Sequence, residues 1–165
     1  MDVLIATSGA LSPEPAARLG ARLAGEDGAV HVVTVIEVPR SFLDEIHVDE
    51  WHPLDESEPR GTHEDAVIGR YVEERGKRIT DPLLAALRGL GLETTATFLE
   101  GEDPAKTIYE AAVRLEADVI ILGATRPIFE ESSWESVSMR VVQEGTIPVL
   151  IVPALPRQPE DEDDA

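Results

Sequence analysis

Short apolar runs alternate along the chain with stretches in which apolar residues recur every three or four positions. Runs rich in valine and isoleucine predict strands, and the helical spacing predicts amphipathic helices between them. The run from Val30 to Val38 carries apolar residues on both faces, as strands do in a parallel sheet covered by helices on each side. The pattern predicts a doubly wound α/β fold, with strands at Val3–Ala6, Val30–Val38, Leu92–Leu99, Val119–Leu122 and Ile147–Val152.

The predicted helices begin at recognisable sequence signals. Ser12 and Asp103 are each followed by a proline, which is the usual order of an N-cap residue and a first helical residue. A long helical pattern occupies residues 62–87, with Pro82 inside it. This proline either kinks one long helix or begins a second one. A last helix is predicted from Trp134 to Glu144.

Negative charge is concentrated in two segments. The chain has a net charge of −19, of which residues 43–65 contribute −8 and residues 153–165 contribute −4. Such an excess repels the phosphates of nucleic acids, so we expect no nucleic-acid partner. We interpret residues 39–61 as an acidic loop insert and residues 154–165 as an acidic, disordered tail. Residues 1–153 then form one domain.

The composition excludes several further classes of protein. There are no cysteines, which removes disulfides, thiol catalysis and cysteine-based zinc sites. No stretch approaches the roughly 20 apolar residues of a membrane span. The N-terminus lacks the basic and apolar regions of a secretory signal. We therefore expect a cytoplasmic protein without a membrane span.

The acidic insert carries two features that could have a function. Its aromatic residues Phe42 and Trp51 either anchor a protein partner or fold back onto their own domain. The histidines and carboxylates in and beside it match no established metal-binding motif, so we predict no metal site. These residues are His47, Asp49, Glu50, His52 and His63.

Four segments, in a fixed order along the chain, carry a family resemblance. Residues 3–10 read VLIATSGA, residues 101–108 GEDPAKTI and residues 117–123 ADVIILG, and residues 136–152 contain SVSMRVV and PVLIV. They resemble the ILVATDGS, GDPAEAI, ADLIVVG and SVSERVL…PVLVV motifs of the universal stress protein family. The resemblance covers residues 2–153. It implies a five-stranded parallel sheet in the order 3-2-1-4-5 with helices on both faces, similar to the adenine nucleotide alpha-hydrolases.

The resemblance also implies where a nucleotide would bind. ATP-binding members share the motif G-x2-G-x9-G-[S/T] after strand four. In this chain Gly123 holds the first glycine, Arg126 stands at the second, and Glu135 takes the place of the third, one residue early. The aspartate that follows strand one in nucleotide binders is replaced by a serine. By motif position, the candidate site consists of Ser8, Gly123, Arg126, Ser136, Val137 and Ser138.

These replacements disfavour ATP. Glycine permits left-handed backbone and close approach to phosphate oxygens, which Arg126 does not. Glu130, Glu131 and Glu135 place carboxylates in or beside the loop, and unit charges about 4–6 Å apart repel by roughly 3–4 kcal/mol at an effective dielectric constant near 20. The helix N-terminus near Ser136 still offers free N–H groups. We expect a degenerate site that holds no cofactor, with ATP and Mg as the alternative.

The resemblance implies a role without catalysis. We expect a regulatory or interaction module of the stress response, with an ATP- or AMP-binding switch as the alternative and a weak nucleotide hydrolase as a further rival. Family members commonly pair their last strand with its twin, which implies a homodimer through the edge strand Ile147–Val152. The acidic insert is a candidate surface for a further, unidentified protein partner.

Overall fold

The computed structural model describes residues 1–39, 62–124 and 136–153. These residues form a five-stranded sheet in the order β3-β2-β1-β4-β5. Every neighbouring pair of strands is parallel, so the predicted α/β class and strand order are confirmed. The strands are β1 (Val3–Ala6), β2 (Val30–Ile36), β3 (Ala96–Glu100), β4 (Val119–Gly123) and β5 (Val149–Val152).

Helices cover both faces of the sheet and create two apolar cores. Alternate residues of β1 point to opposite faces, as the two-residue period of a strand requires. Val3 and Ile5 pack with the first two helices, whereas Leu4 and Ala6 pack with the last two. Val3, Leu4 and Ile5 are completely buried. The helices of the described residues are α1 (Pro13–Ala24), α2 (Thr62–Gly89), α3 (Pro104–Arg114) and α4 (Val137–Glu144).

The predicted boundaries of β2, β3 and β5 are wrong by a few residues. β5 begins at Val149 rather than Ile147, because its pairing with β4 starts there. β3 begins at Ala96 rather than Leu92, because backbone pairing with β2 starts only there. Thr94 reaches β2 with its hydroxyl instead, which donates to a β2 carbonyl oxygen at 2.6 Å. β2 ends at Ile36 rather than Val38, since its last partner is the final residue of β3.

The predicted helix starts are confirmed, except that the last helix begins later in the chain than predicted. Ser12 and Asp103 occupy the N-cap positions of α1 and α3. α2 is one helix that continues through Pro82. In the described residues, the last helix begins at Val137 rather than Trp134, because Ser136 is its N-cap.

Several expectations fall on residues that the structure does not describe. They include nearly all of the acidic insert, with Phe42 and Trp51, and the tail at residues 154–165. Within the three described ranges, each helix is either too short or too polar to cross a lipid bilayer.

A buried glycine lets α2 lie directly against the sheet. A Cβ atom at Gly76 would sit 2.5 Å from two ring carbons of Phe98 in β3. The buried hydroxyl of Thr80, one turn later, donates to the carbonyl oxygen of Gly76 at 2.9 Å. Gly69 lies on the same helix, but nothing is within 4 Å of its Cβ position. The two glycines therefore have opposite structural roles.

Alanine should have opposite effects at these two positions. Gly69→Ala should raise the free energy of unfolding by about 0.5–1 kcal/mol, because alanine is the better helix former and meets no neighbour. Gly76→Ala should lower it by about 1–2 kcal/mol, because overpacking against Phe98 outweighs the helix propensity. Urea unfolding of both variants and the wild type measures the difference. Equal effects would show that α2 is not seated on the Phe98 ring.

Candidate functional site

The carboxyl ends of β1 and β4 lie side by side in the centre of the sheet. The strand order reverses between them, because β2 and β3 lie on one side and β5 lies on the other. Connections leave such a switch point in opposite directions and open a crevice. The structure has a cavity of about 150 Å³ there. The described residues that line it are Ala6, Thr7, Ser8, Ala10, Leu11, Val33, Val35, Pro104, Ile108, Leu122, Gly123, Val137 and Ser138.

The loop after β1 forms one wall of the crevice. The N–H of Thr7 donates to the carbonyl oxygen of Val33 at 3.0 Å, which continues the sheet by one residue. The Thr7 hydroxyl accepts the N–H of Gly9 at 3.0 Å. Gly9 has a φ of 94°, a left-handed value that favours glycine. This tight turn leaves Ser8 exposed at the edge of the cavity.

Gly123 packs closely against another segment of the chain. A Cβ atom at Gly123 would lie 3.2 Å from Cα and 3.3 Å from Cβ of Leu11. Leu11 belongs to the connection between β1 and α1, so glycine lets this connection close over the end of β4. The first glycine of the nucleotide motif thus has a structural reason that involves no ligand.

The N-terminus of α4 forms the opposite wall. Ser136 caps the helix, and its hydroxyl accepts the N–H of Met139 at 3.4 Å. The hydroxyls of Ser136 and Ser138 lie 3.2 Å apart. Val137 and Ser138 line the cavity. The positive end of the helix dipole therefore faces the crevice, but both serine hydroxyls already have partners within the chain.

An ion pair joins α3 to α4 beside this wall. The Arg140 guanidinium donates to the Asp103 carboxylate at 2.6 Å. Asp103 is also the N-cap of α3, where it accepts the N–H of Lys106 at 3.3 Å. No sequence signal pairs these two residues, which the fold brings together from different helices. Arg140 is consequently a residue of the site region that the sequence analysis missed.

The ion pair shifts the titration of both partners. The hydrogen bond from Arg140 holds the pKa of Asp103 below the ordinary aspartate value, and the backbone N–H of Lys106 adds to this. Asp103 in turn raises the pKa of Arg140. When folding lowers the pKa of an aspartate, its ionised carboxylate stabilises the folded state at pH values above the unfolded pKa. This stabilisation is lost as the pH falls through the folded pKa. The pair is therefore formed at neutral pH.

The described lining of the cavity contains no charged side chain. Its apolar wall comes from residues of the core itself, such as Val33, Ile108 and Leu122. Polar groups come from Thr7, Ser8 and Ser138. Sites for drug-sized ligands occupy roughly 300–1,000 Å³, whereas an apolar cavity of about 150 Å³ holds a single aromatic ring. The described part of the crevice is thus smaller than such ligand sites and mainly apolar.

The structure brings most of the predicted site residues together. Ser8, Gly123, Val137 and Ser138 line one cavity. Ser136, directly before Val137, is the N-cap of α4. Arg126 lies outside the described residues, as do Glu130, Glu131 and Glu135. No group of three or more potential metal ligands occurs in the part of the chain that the structure describes. The apolar wall was not predicted as part of a site, because the sequence pattern of its residues is the same as that of ordinary core residues.

The sequence model of the universal stress protein family matches residues 1–153. The chain belongs to the universal stress protein family. None of the curated proteins matches it significantly. The family assignment agrees with the four motifs found in the sequence and with the strand order of the sheet.

Solved structures share the fold of this universal stress protein at low sequence identity. The hypothetical protein MJ0577, the subject of a structure-based functional assignment, is 18% identical, with 94% of this chain and 97% of that chain covered and a TM-score of 0.63. A universal stress protein family member of Burkholderia pseudomallei is 20% identical, with 93% and 96% covered and a TM-score of 0.57. A universal stress protein of Archaeoglobus fulgidus, in complex with dAMP, is 20% identical, with 92% and 96% covered and a TM-score of 0.52.

Replacing Arg140 should change the titration of Asp103 in this universal stress protein. In Arg140→Gln the pKa of Asp103 should rise towards the ordinary aspartate value, because its strongest hydrogen-bond donor is lost. In the matched control Lys106→Gln it should stay low, because Arg140 and the backbone N–H of residue 106 remain. Carboxyl-carbon NMR over an acid titration measures both values. An unchanged pKa in Arg140→Gln would contradict the ion pair.

Proposed function

We propose that this universal stress protein is a cytoplasmic, non-catalytic regulatory and interaction module whose nucleotide site is degenerate and does not hold ATP. The observation that carries the proposal is the charge of the crevice. The described lining has no charged side chain, and Arg140, the basic residue of α4, is already bound to Asp103. The absence of cysteines fits a reducing compartment.

A triphosphate needs more donors than the described crevice offers. Proteins hold phosphates with arginine, lysine, free backbone N–H groups and metal ions. At the N-terminus of α4, the Ser136 hydroxyl already accepts the N–H of Met139. The sequence adds Glu130, Glu131 and Glu135 in the connection between β4 and α4. Repulsion by these carboxylates acts in the same direction as the shortage of donors.

A role without hydrolysis is supported by the hydroxyls of the crevice. Phosphoanhydride hydrolysis needs a base within hydrogen-bond reach of the attacking water. Within the described residues, no hydrogen bond joins Ser8, Ser136 or Ser138 to a histidine or a carboxylate. Ser8 lies in the loop after β1, Ser136 caps α4, and Ser138 lies in the first turn of that helix.

A nucleotide-responsive switch is the second candidate function. The complex of the Archaeoglobus fulgidus protein with dAMP shows that one protein of this fold holds a nucleoside monophosphate. Here the N-termini of α3 and α4 both reach the crevice through Pro104 and Val137. A monophosphate carries less charge than ATP, so it suits this crevice better.

ATP should leave the thermal stability of the protein unchanged. A ligand at 100 times its dissociation constant stabilises the folded state by about 2.7 kcal/mol, and each kcal/mol raises the melting temperature of a domain of this size by about 2–4 °C. With millimolar ATP and magnesium we expect a shift below about 1 °C. Magnesium alone and inorganic triphosphate are the controls.

A rise of several degrees that saturates with ATP and is absent with triphosphate would overturn the degenerate site and favour the switch. Phosphate release from ATP, measured on the same samples, distinguishes a nucleotide hydrolase from a non-catalytic protein. Release that survives purification and disappears in Ser136→Ala would contradict a non-catalytic role.

The proposal includes a homodimer through the edge strand Ile147–Val152. β5 lies at the edge of the sheet. Its Leu150 is 38% exposed, and Val142 of the neighbouring helix is 43% exposed. An unpaired apolar edge strand is a template for pairing with another chain, and a twofold axis would pair β5 with its twin.

Lysine at the edge strand should convert the dimer into a monomer. In Leu150→Lys the dimer would bury an unpaired ammonium, at a cost of several kcal/mol. The matched control is Val113→Lys, because Val113 is 54% exposed on α3, away from β5. Light scattering after gel filtration should give a monomer mass for the first variant and a dimer mass for the second. A monomeric wild type would refute the dimer directly.

A further inference from the structure

We propose that Tyr109 is a positioning residue of the dimer interface. From α3 it fixes the turn that leads into β5, and so sets the place of the edge strand through which two copies pair. The inference rests on the proposed function, because it takes the edge strand Ile147–Val152 to be the interface. Tyr109 is not part of that strand and acts on it through the turn.

The turn between α4 and β5 consists of residues 145–148. In its middle, the N–H of Thr146 donates to the Tyr109 hydroxyl at 3.3 Å. At its end the turn joins the sheet, where the carbonyl oxygen of Pro148 accepts the N–H of Ile120 at 2.9 Å. The Tyr109 hydroxyl therefore holds the turn from the neighbouring helix just before the strand begins.

A glycine lets the ring of Tyr109 lie directly on the turn. A Cβ atom at Gly145 would overlap the ring at Cζ and at the hydroxyl oxygen. The φ of Gly145 is −168°, an extended value that any residue adopts. The close approach of the ring, and not the backbone conformation, therefore accounts for glycine at this position. The contact combines shape with a hydrogen bond.

Tyr109 is supported by the core behind it. The half-buried ring packs against the apolar cluster beneath α3 and α4, and Ile147 and Val149 pack against the same cluster. Ile108 and Ala112 hold the inner face of α3 in that core. The tyrosine thus projects from a helix that is itself seated on the sheet, which makes it a fixed point for the turn.

The place of β5 decides what a second copy would meet. β5 has four residues, and a slip by one residue turns every side chain of a strand to the opposite face. Leu150, which is 38% exposed, would then change faces. A twofold axis puts the same strand on both sides of the interface, so any displacement of β5 occurs twice.

The contact lies outside the motifs that the chain shares with its family. Those motifs cover residues 101–108, 136–142 and 148–152 in this half of the fold, whereas Tyr109, Gly145 and Thr146 stand between them. The positioning role therefore comes from residues of this chain and not from the shared motif positions.

Tyr109→Phe tests the role of the hydroxyl, because it keeps the ring. The dissociation constant of the dimer, measured by sedimentation velocity on the full chain, should rise about threefold to tenfold, as the loss of one hydrogen bond of ordinary net strength predicts. Hydrogen exchange at the Thr146 amide should become faster in the same variant, because this N–H has lost its acceptor.

Thr107→Val is the matched control. It also removes one hydroxyl from α3, but that hydroxyl donates to the carbonyl oxygen of Asp103 at 2.8 Å, within the first turn of the same helix. A purely structural effect on α3 lowers the free energy of unfolding in both variants. The dimer dissociation constant of Thr107→Val should nevertheless stay within about twofold of wild type.

Gly145→Ala tests the contact from the side of the turn. It should weaken the dimer in the wild-type background, because the added methyl group displaces the ring. In the Tyr109→Leu background the ring is gone, so the same alanine should have little further effect. Such non-additivity is expected of two positions in contact. Circular dichroism checks that each variant is folded.

The outcomes separate the inference from the dimer on which it rests. A monomeric wild type would refute the proposed dimer and the inference together. A dimeric wild type whose dissociation constant is unchanged in Tyr109→Phe or in Gly145→Ala would overturn the inference alone. An equal rise in Thr107→Val, or additive effects of Gly145→Ala and Tyr109→Leu, would also contradict it.

Discussion

The two central strands, β1 and β4, are apolar on both faces, and their burial fixes the rest of the architecture. Ile5, Ile120 and Ile121 are completely buried, so water is excluded above and below the sheet. A parallel sheet of this kind needs helices on both sides, and right-handed crossovers leave few ways to arrange them. Because all strands point the same way, their carboxyl ends and the helix N-termini meet at one edge. The crevice is a consequence of this arrangement rather than an addition to it.

The chemistry of the crevice follows from its position at the end of the core. Ala6 and Leu122 belong to the core and also line the cavity, so a ligand would meet an apolar floor. Among the described residues, the polar lining comes from the loop after β1 and the first turn of α4. The described lining carries no charged side chain, and Asp103 and Arg140, which flank it in sequence at Pro104 and Ser138, neutralise each other. The helix N-termini that reach the crevice are a feature of anion sites, whereas the described lining is mainly apolar.

Glycines in this chain serve close packing as much as backbone freedom. Gly123 aligns with a phosphate-binding motif, yet the nearest atoms to its Cβ position belong to Leu11. Gly76 serves α2 in the same way, with the ring of Phe98 against its backbone. Close packing is therefore a reason for glycine at a motif position, independent of any ligand.

The sequence by itself determined the fold class, the order of elements and most of the candidate site, because these depend on local periodicity, cap signals and motifs that occupy short segments. Ser8, Gly123, Val137 and Ser138 could be named from the chain because they stand at positions of the motifs that the sequence resembles. Strand ends at Ile36 and Ala96 were decided by pairing between distant segments, which local pattern does not record. The ion pair between Asp103 and Arg140 was likewise decided only by the tertiary structure, because a hydrogen bond between two helices depends on how they pack and not on either sequence alone.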